Sequence, residues 1–504
     1  MKTMQGLALW AATLGGMGPA FAQDVPDDTV RVWATERFHT PVGYAVRAQD
    51  LSSQPPYLLV PDAGGFIRKD GIATPDGYVF TGVPVGTTYY LGRGSGFTVT
   101  DARTVELGMD FIGREGKVST AVDVLPLDVQ LSNLAPWVPY GGPTGTASLL
   151  EFVGPMNGVV AEVSLFDEPA TGQTQLSTDL AEGYSMFEPF AAFESAKGDG
   201  LYVSQLGGVS AGTTPDGRAL YYSTPVRGLA LAPFDFLPDG VTPLELHGGM
   251  QPVPTRPLSI DWRVSEFVAR ATQSHPSATP TTPQLLIEAG ANSAEAGWLS
   301  YSGTLLSLGL PSGSTFDFAR NLAYGLPYPE SWLRVGAAHQ SIRLQEVLPD
   351  GSNRIFRQGV FSAATRDVAE LLAASPIRPR ISPVRALTID GLDAWSQRQV
   401  SGESPVLAWL PPELGTPTGY KATVSYYDES VGFGRMIPWR TFSLPASSTQ
   451  LRLPPGTLRP HAIHRIQVTA MDIAGHDPKH SPYYSLSGLP QGTAEAYSAL
   501  LTTP

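Results

Sequence analysis

The chain of 504 residues contains no cysteine. This absence excludes a disulfide-stapled scaffold and any zinc or iron–sulfur centre that is held by thiolates. Charged residues are also scarce, at 16% of the chain, where a typical soluble domain has about 25%. The net charge of -13 comes without a basic tail or an acidic block. Because phosphate backbones repel such a surface, we expect no nucleic-acid partner.

Long apolar runs are absent beyond the N-terminus, so we expect no transmembrane segment once the first residues are removed. Those first 22 residues predict a secretory signal peptide, because Lys2 is followed by an apolar stretch from Leu7 to Gly18. The A-x-A site that ends at Ala22 predicts cleavage between Ala22 and Gln23. A cytosolic chain and a membrane anchor are the alternatives. The apolar stretch is shorter than the roughly 20 residues of a spanning helix, which favours secretion or surface display, or retention in the periplasm.

Glycine and proline are abundant instead, with 53 and 46 residues. They are the poorest helix formers, and the hydrophobic fraction of 42% is too high for a disordered chain. The composition therefore predicts a mainly β protein of several β-sandwich modules in tandem, with few short helices. The turn Pro-Asp-Gly occurs at Pro75–Gly77, Pro215–Gly217, Pro238–Gly240 and Pro349–Gly351. The last of these lies between two strand-like runs and predicts a hairpin.

The middle region, residues 115–375, is mostly strand-like. Its candidate strands are Val159–Phe166, Leu201–Leu206, Leu220–Thr224, Leu285–Ala289, Trp298–Leu308 and Ser341–Val347. The apolar spacing in Ser259–Gln273 predicts a helix, and Thr365–Ala374 is a weaker helix candidate. The Pro/Ser/Thr-rich segment 272–284 is interpreted as a loop that splits the region into two subdomains.

Residues 29–113 carry a short motif near their centre. Asp76-Gly77-Tyr78 opens a strand-like run, and Gly82-Val83-Pro84-Val85-Gly86 follows it. This pattern resembles the end of a transthyretin-like or carboxypeptidase-regulatory-like module. The resemblance implies an N-terminal β-sandwich.

Residues 381–490 carry a longer set of motifs. Val406–Pro412 contains a W-x-P-P ending, Gly419–Tyr427 is a strand-like run, Leu458-Arg459-Pro460 reads L-x-P, and His464–Met471 alternates apolar with polar residues. Together they resemble a fibronectin type III domain, an immunoglobulin-like sandwich that usually binds a partner or separates other domains. The residues that match its core and corner are Trp409, Pro411, Pro412, Tyr420, Leu458, Pro460 and His464. Because His464 stands where that family has a tyrosine, a corner hydrogen bond is either made by imidazole or absent.

Two glycine-rich segments were candidates for chemistry. Gly208-Val209-Ser210-Ala211-Gly212 fits the G-x-S-x-G pattern of a hydrolase nucleophile, but a turn and not a helix follows it, which favours a hairpin loop. Gly92–Gly96 resembles a phosphate cradle, but it leads into another strand.

Four polar residues cluster in sequence at Asp472, His476, Asp477 and His480. They form either a divalent-metal site or a solvated loop, and the solvated loop is favoured. The isolated His39, His247, His275 and His339 have no predicted partner. The aromatic residues are either core or, where exposed, platforms for sugar rings.

These observations favour a secreted or surface-displayed, non-enzymatic protein of binding or adhesion, whose ligand is an extracellular protein or a glycan. No catalytic, metal-binding or cofactor-binding residue is assigned, and no cofactor is expected. An exported hydrolase whose middle region is catalytic and a structural spacer of the cell envelope are the alternatives. The oligomeric state is not predicted.

Overall fold

A computed structural model describes residues 28–141, 146–431 and 434–504. The chain is mainly β, with 52% of residues in strands and 5% helical. The described residues hold two α-helices, α1 (Val264–Ala271) and α2 (Ala369–Ala373). The predicted fold class is therefore confirmed. The proposed cleavage site between Ala22 and Gln23 lies outside the described residues.

The first eleven strands build the N-terminal part of the protein. They are β1 (Val30–Trp33), β2 (Thr35–Thr40), β3 (Gly43–Ala48), β4 (Tyr57–Asp62), β5 (Gly65–Asp70), β6 (Ile72–Thr74), β7 (Gly77–Phe80), β8 (Tyr89–Arg93), β9 (Gly96–Thr100), β10 (Thr104–Glu106) and β11 (Met109–Ile112). One sheet has the order β10-β1-β7-β6, and the strands β5-β4-β8-β9 form a second layer. Both layers contribute to one core, with Val30 and Phe80 from the first and Leu58 and Tyr89 from the second. A small sheet, β11-β2-β3, extends from them.

The next strands form a sheet with its own core. They are β12 (Val124–Ser132), β13 (Leu149–Gly154), β14 (Val159–Leu165), β15 (Leu176–Ser185), β16 (Leu201–Thr213), β17 (Ala219–Leu231), β18 (Leu244–Gly249) and β19 (Gln251–Pro252). The pairing runs β18-β12-β15-β14-β13-β16-β17. Leu127, Phe152 and Val203 lie in the core of this sheet.

Six further strands complete the middle region. They are β20 (Thr255–Trp262), β21 (Thr279–Gly290), β22 (Thr304–Gly309), β23 (Phe318–Gly325), β24 (Leu333–Val347) and β25 (Ile355–Val368). Strand β22 pairs with β17 at Ser223 and Ser307, so the sheet continues as β17-β22-β21-β24-β25. The β24–β25 hairpin turns at Pro349–Gly351, as predicted.

The last ten strands form two facing sheets. They are β26 (Arg385–Ile389), β27 (Leu392–Asp393), β28 (Arg398–Gln399), β29 (Val406–Leu410), β30 (Gly419–Asp428), β31 (Arg435–Pro445), β32 (Gln450–Arg452), β33 (Ile463–Ile473), β34 (Gln491–Tyr497) and β35 (Leu501–Thr502). One sheet has the order β27-β26-β29-β32, and the other contains β31-β30-β33-β34. Because β34 pairs with β25 and β31 pairs with β9, one sheet of 22 strands joins the middle region to both ends of the chain.

Several predicted boundaries were wrong. The segment Ser259–Gln273 is strand as far as Trp262, and only α1 is helical. Likewise, β25 continues to Val368 before α2 begins. Part of the segment 272–284 is also strand, because β21 begins at Thr279. Its pairing with β24 shifts in register between Pro280 and Pro283.

The predicted strand Trp298–Leu308 begins only at Thr304. In the described residues, no helix is long and apolar enough to cross a membrane.

Candidate functional site

A cleft of about 480 Å³ lies where three distant parts of the chain meet. Its walls come from the β11-β2-β3 sheet, from the loop after β21, and from the segment that follows β33. We call it the junction cleft. Its principal side chains are Arg37, His39, Tyr44, Asp110, Asn292 and Tyr484.

The β11-β2-β3 sheet positions the charged residues of the cleft. Strands β2 and β11 are parallel, and Arg37 is the register partner of Asp110. His39 lies two residues beyond Arg37, so both side chains share one face of the sheet. Phe38 points to the other face and stacks on Phe111, with ring centroids 5.4 Å apart.

Asp110 is the centre of a polar network. Arg37 Nε lies 2.9 Å from Asp110 Oδ1, and Arg37 Nη2 donates a hydrogen bond of 3.2 Å to Oδ2. His39 Nε2 lies 2.7 Å from the same Oδ1. The carboxylate therefore balances the charge of Arg37 and fixes the orientation of the His39 ring.

Aromatic rings flank this network on both sides. The guanidinium carbon of Arg37 is 3.5 Å from the ring centroid of Tyr484, a close cation–π contact. The Tyr44 ring stacks on His39 with centroids 5.4 Å apart, and Tyr44 is 64% exposed. The cleft thus presents an accessible ring beside partly buried polar groups.

The opposite wall contributes amide and hydroxyl groups. Asn292 is 3% exposed, and its Nδ2 donates hydrogen bonds of 3.0 Å to the carbonyls of Ser293 and Gly297. Its Oδ1 is buried with no hydrogen-bond partner among the described residues. Ser485 and Ser487 donate their hydroxyl protons to backbone carbonyls at 2.7 and 3.0 Å. Their oxygens keep lone pairs that can accept from a ligand.

The predicted core and corner residues of the C-terminal region differ in their surroundings. Trp409 and Tyr420 are buried and form a T-shaped ring pair with centroids 5.5 Å apart. Pro411 and Pro412 follow β29, Leu458 is partly buried, and Pro460 is exposed. His464 is fully buried and bonded through both ring nitrogens, so an imidazole does make a hydrogen bond at this position.

The four residues of the candidate metal loop do not converge on one point. Asp472 pairs with Arg380 at 3.1 Å, His476 Nδ1 lies 3.1 Å from Thr418 Oγ1, and His480 pairs with Asp477 at 3.0 Å. Burial lowers the pKa of His476 to about 4. Across the described ranges, no group of three or more His, Asp or Glu residues could hold a metal ion.

The two glycine-rich segments are parts of hairpins. Ser210 lies within β16 and is exposed, and its Oγ accepts a hydrogen bond of 3.2 Å from the N–H of Gly212. The chain then turns into β17, so the strand–turn–helix geometry of a nucleophile elbow is not formed. Gly92–Gly96 is the turn between β8 and β9.

The isolated histidines all have partners. His39 belongs to the junction cleft, and the contacts of the others are His247 with Asp128, His275 with Ser277, and His339 with Gln284. Four residues of the cleft were not predicted from the sequence: Arg37, Asp110, Asn292 and Tyr484. The alternation of Thr35, Arg37 and His39 was the one local signal of a polar strand face at this place. Neither a protein-family model nor a curated protein matches the chain.

Proposed function

We propose that this chain is a secreted, non-enzymatic binding protein whose ligand is a glycan, held in the junction cleft. The observation that carries the proposal is the exposed Tyr44 ring beside the Arg37–Asp110–His39 network, in which His39 is buried and Arg37 is partly exposed. Sugars present an apolar face that stacks on aromatic rings and hydroxyl groups that both donate and accept hydrogen bonds. The cleft supplies both kinds of contact.

The charge balance of the cleft supports a neutral ligand. The cation Arg37 is engaged by Asp110, and Glu295 adds a further carboxylate to the lining. The whole chain carries a net charge of -13. An anionic ligand would therefore meet no free cation in the lining, whereas a neutral polyhydroxyl ligand loses nothing by this arrangement.

Binding is favoured over hydrolysis because the candidate nucleophile and the carboxylate of the cleft are committed elsewhere. Ser210 lies in a paired strand, outside the lining of the junction cleft. Both oxygens of Asp110 are engaged by Arg37 and His39, which leaves neither for a leaving group.

The architecture around the cleft also supports a binding protein. The two sheets β27-β26-β29-β32 and β31-β30-β33-β34 support the resemblance of residues 381–490 to a fibronectin type III domain, and the last of these strands, β34, follows directly after that range. The N-terminal residues 1–22 supply the basis for secretion. An envelope spacer is the remaining alternative, and it differs by requiring no ligand.

The test is glycan binding by the purified full-length chain, first on an array of neutral and acidic glycans and then by calorimetry. Tyr44→Ala should weaken binding by roughly tenfold or more, since it removes a stacking contact worth about 1.4 kcal/mol or more. Asp110→Asn should also weaken binding, because it loosens the orientation of Arg37 and His39 in the cleft. The matched control is Tyr140→Ala, because Tyr140 is 89% exposed and lies outside the cleft.

Thermal unfolding identifies any variant that has lost its fold, and Tyr44→Ala is the safer variant because its ring is largely exposed. Failure of every glycan to bind, with the chain retained on the cell envelope, would favour the spacer. Binding that is unaffected by Tyr44→Ala would place the site elsewhere.

A further inference from the structure

A second cleft, of about 500 Å³, lies on the face of the sheet formed by β13 to β17 and β22. We call it the sheet cleft. Glu151 is the register partner of Glu162, which is in turn the register partner of Tyr184. The three side chains therefore form one row across β13, β14 and β15 on the same face of the sheet.

A smaller cavity of about 190 Å³, which we call the connecting cavity, is related to each of the two clefts through one residue. Asp110 lines this cavity as well as the junction cleft. Tyr301 also lines this cavity, and its hydroxyl donates a hydrogen bond of 2.9 Å to Glu151 of the sheet cleft. We call the three cavities, linked through Asp110 and through the Tyr301–Glu151 hydrogen bond, the groove.

Each cavity carries an exposed aromatic ring. Tyr44 lies at the junction cleft, Phe187 at the connecting cavity and Tyr184 at the sheet cleft, and they are 64%, 59% and 40% exposed. The Phe187 ring is further supported by Tyr301, with centroids 6.1 Å apart. Single exposed apolar residues are common on proteins, but a ring at each successive cavity is the arrangement that a polymer of stacking units requires.

The cations of the groove are already paired. Arg37 is engaged by Asp110, and Lys117 lies 3.0 Å from Glu188. Glu162 in the sheet cleft adds negative charge. Polyanions, including nucleic acids and acidic glycans, are therefore disfavoured along the whole groove.

We propose that the ligand is a linear, uncharged polysaccharide that runs through the groove, with successive sugar rings stacked on Tyr44, Phe187 and Tyr184. This inference rests on the proposed function, because it specifies the glycan that the junction cleft binds. It adds that short oligosaccharides fill the junction cleft alone, while longer ones also contact the connecting cavity and the sheet cleft.

The test is calorimetry of the full-length chain with a series of neutral oligosaccharides of one linkage, from a disaccharide to a hexasaccharide or longer. Affinity should rise at least about tenfold along the series, because each added stacked ring contributes without a further cost of association. Phe187→Ala and Tyr184→Ala should abolish this gain and leave the disaccharide affinity unchanged. Tyr44→Ala should weaken all members of the series, and Tyr140→Ala should weaken none.

The outcomes separate the two proposals. An affinity that does not change with chain length, or long oligosaccharides that bind the Phe187 and Tyr184 variants as tightly as the parent chain, would overturn the groove and leave glycan binding intact. Preference for acidic over neutral polysaccharides would overturn the assignment to uncharged chains. Absence of binding to any glycan, with binding of an extended peptide instead, would overturn both.

Discussion

Tyr301 donates its hydroxyl hydrogen bond to Glu151 across 2.9 Å, and this contact joins β13 to the segment that precedes β22. The backbone N–H of Thr304 donates to the other carboxylate oxygen at 2.8 Å. Burial raises the pKa of Glu151, even though these donors oppose the shift. The Glu151 side chain thus lies at the floor of the sheet cleft, where it accepts hydrogen bonds from Tyr301 and Thr304.

Glu151→Gln should retain the fold, whereas Glu151→Ala should destabilise the protein more. The amide oxygen of glutamine can accept from Thr304, whereas alanine leaves buried donors unpaired, at a cost of about 2–4 kcal/mol in the free energy of unfolding. Denaturant titration of both variants measures the difference. Equal stability of the two variants would show that the hydrogen bonds to Glu151 contribute nothing.

Replacing His464 by phenylalanine should destabilise the protein most at neutral and alkaline pH. Nε2 of this buried ring accepts from the N–H of Arg459 at 3.1 Å, and Nδ1 lies 3.2 Å from the carbonyl of Ser425. Burial lowers the pKa of His464 below its ordinary value of 6.5. The neutral ring therefore stabilises the fold fully above pH 6.5, and this stabilisation is lost as the pH falls below that value.

We expect His464→Phe to lose about 1–3 kcal/mol at pH 8 and less at pH 5, measured by urea titration. His480→Phe is the control, because His480 is exposed and its ring bonds only to Asp477. An equal loss of stability at both pH values would mean that protonation of His464 does not contribute to the effect of the substitution.

The strands of the C-terminal region could be predicted because their pattern is local. Ile466, Val468 and Ala470 alternate with polar residues, and all three are fully buried in β33. The boundary of α1 could not be predicted in the same way. Ile260 and Val264 are four residues apart, a spacing that places two residues on one side of both a strand and a helix. Pairing of Trp262 with Phe318 of β23 decides for the strand.

The junction cleft could not be predicted because its residues meet only through long-range pairing. Arg37 and Asp110 become neighbours when β2 and β11 pair in parallel. Asn292 and Tyr484 join them from regions hundreds of residues away. No short segment of the sequence contains two of these four residues, so the alternation of Thr35, Arg37 and His39 was the one local signal near the site.

Removing one partner of the buried pair Arg465–Glu346 should cost more than removing both. Both side chains are almost fully buried, and the contact joins β33 to β24. Glu346→Gln leaves the Arg465 charge without its counter-ion, and we expect a loss of about 3–5 kcal/mol in the free energy of unfolding. The double variant Glu346→Leu with Arg465→Met should recover most of this loss, because it removes both charges. A double variant that is less stable than Glu346→Gln would contradict this account of the pair.

Glu288→Gln and His339→Gln should change stability with opposite dependence on pH. Burial raises the pKa of Glu288 to about 7 against the attraction of Arg366, and burial lowers the pKa of His339 to about 4. Ionised Glu288 is disfavoured in the fold, so the parent chain loses stability relative to Glu288→Gln as the pH rises from 4.5 to 7. Protonated His339 is disfavoured, so the parent chain loses stability relative to His339→Gln as the pH falls from 6.5 to 4.

Each change should amount to about 1–2 kcal/mol, and urea titrations at closely spaced pH values would measure it. Between pH 4.5 and 6.5 the two groups act in opposite directions on the stability of the parent chain. The difference in stability between the parent chain and Glu288→Gln should therefore change with pH in the opposite direction to the difference between the parent chain and His339→Gln. A difference that does not change with pH would mean that the replaced group keeps its ordinary pKa in the folded protein.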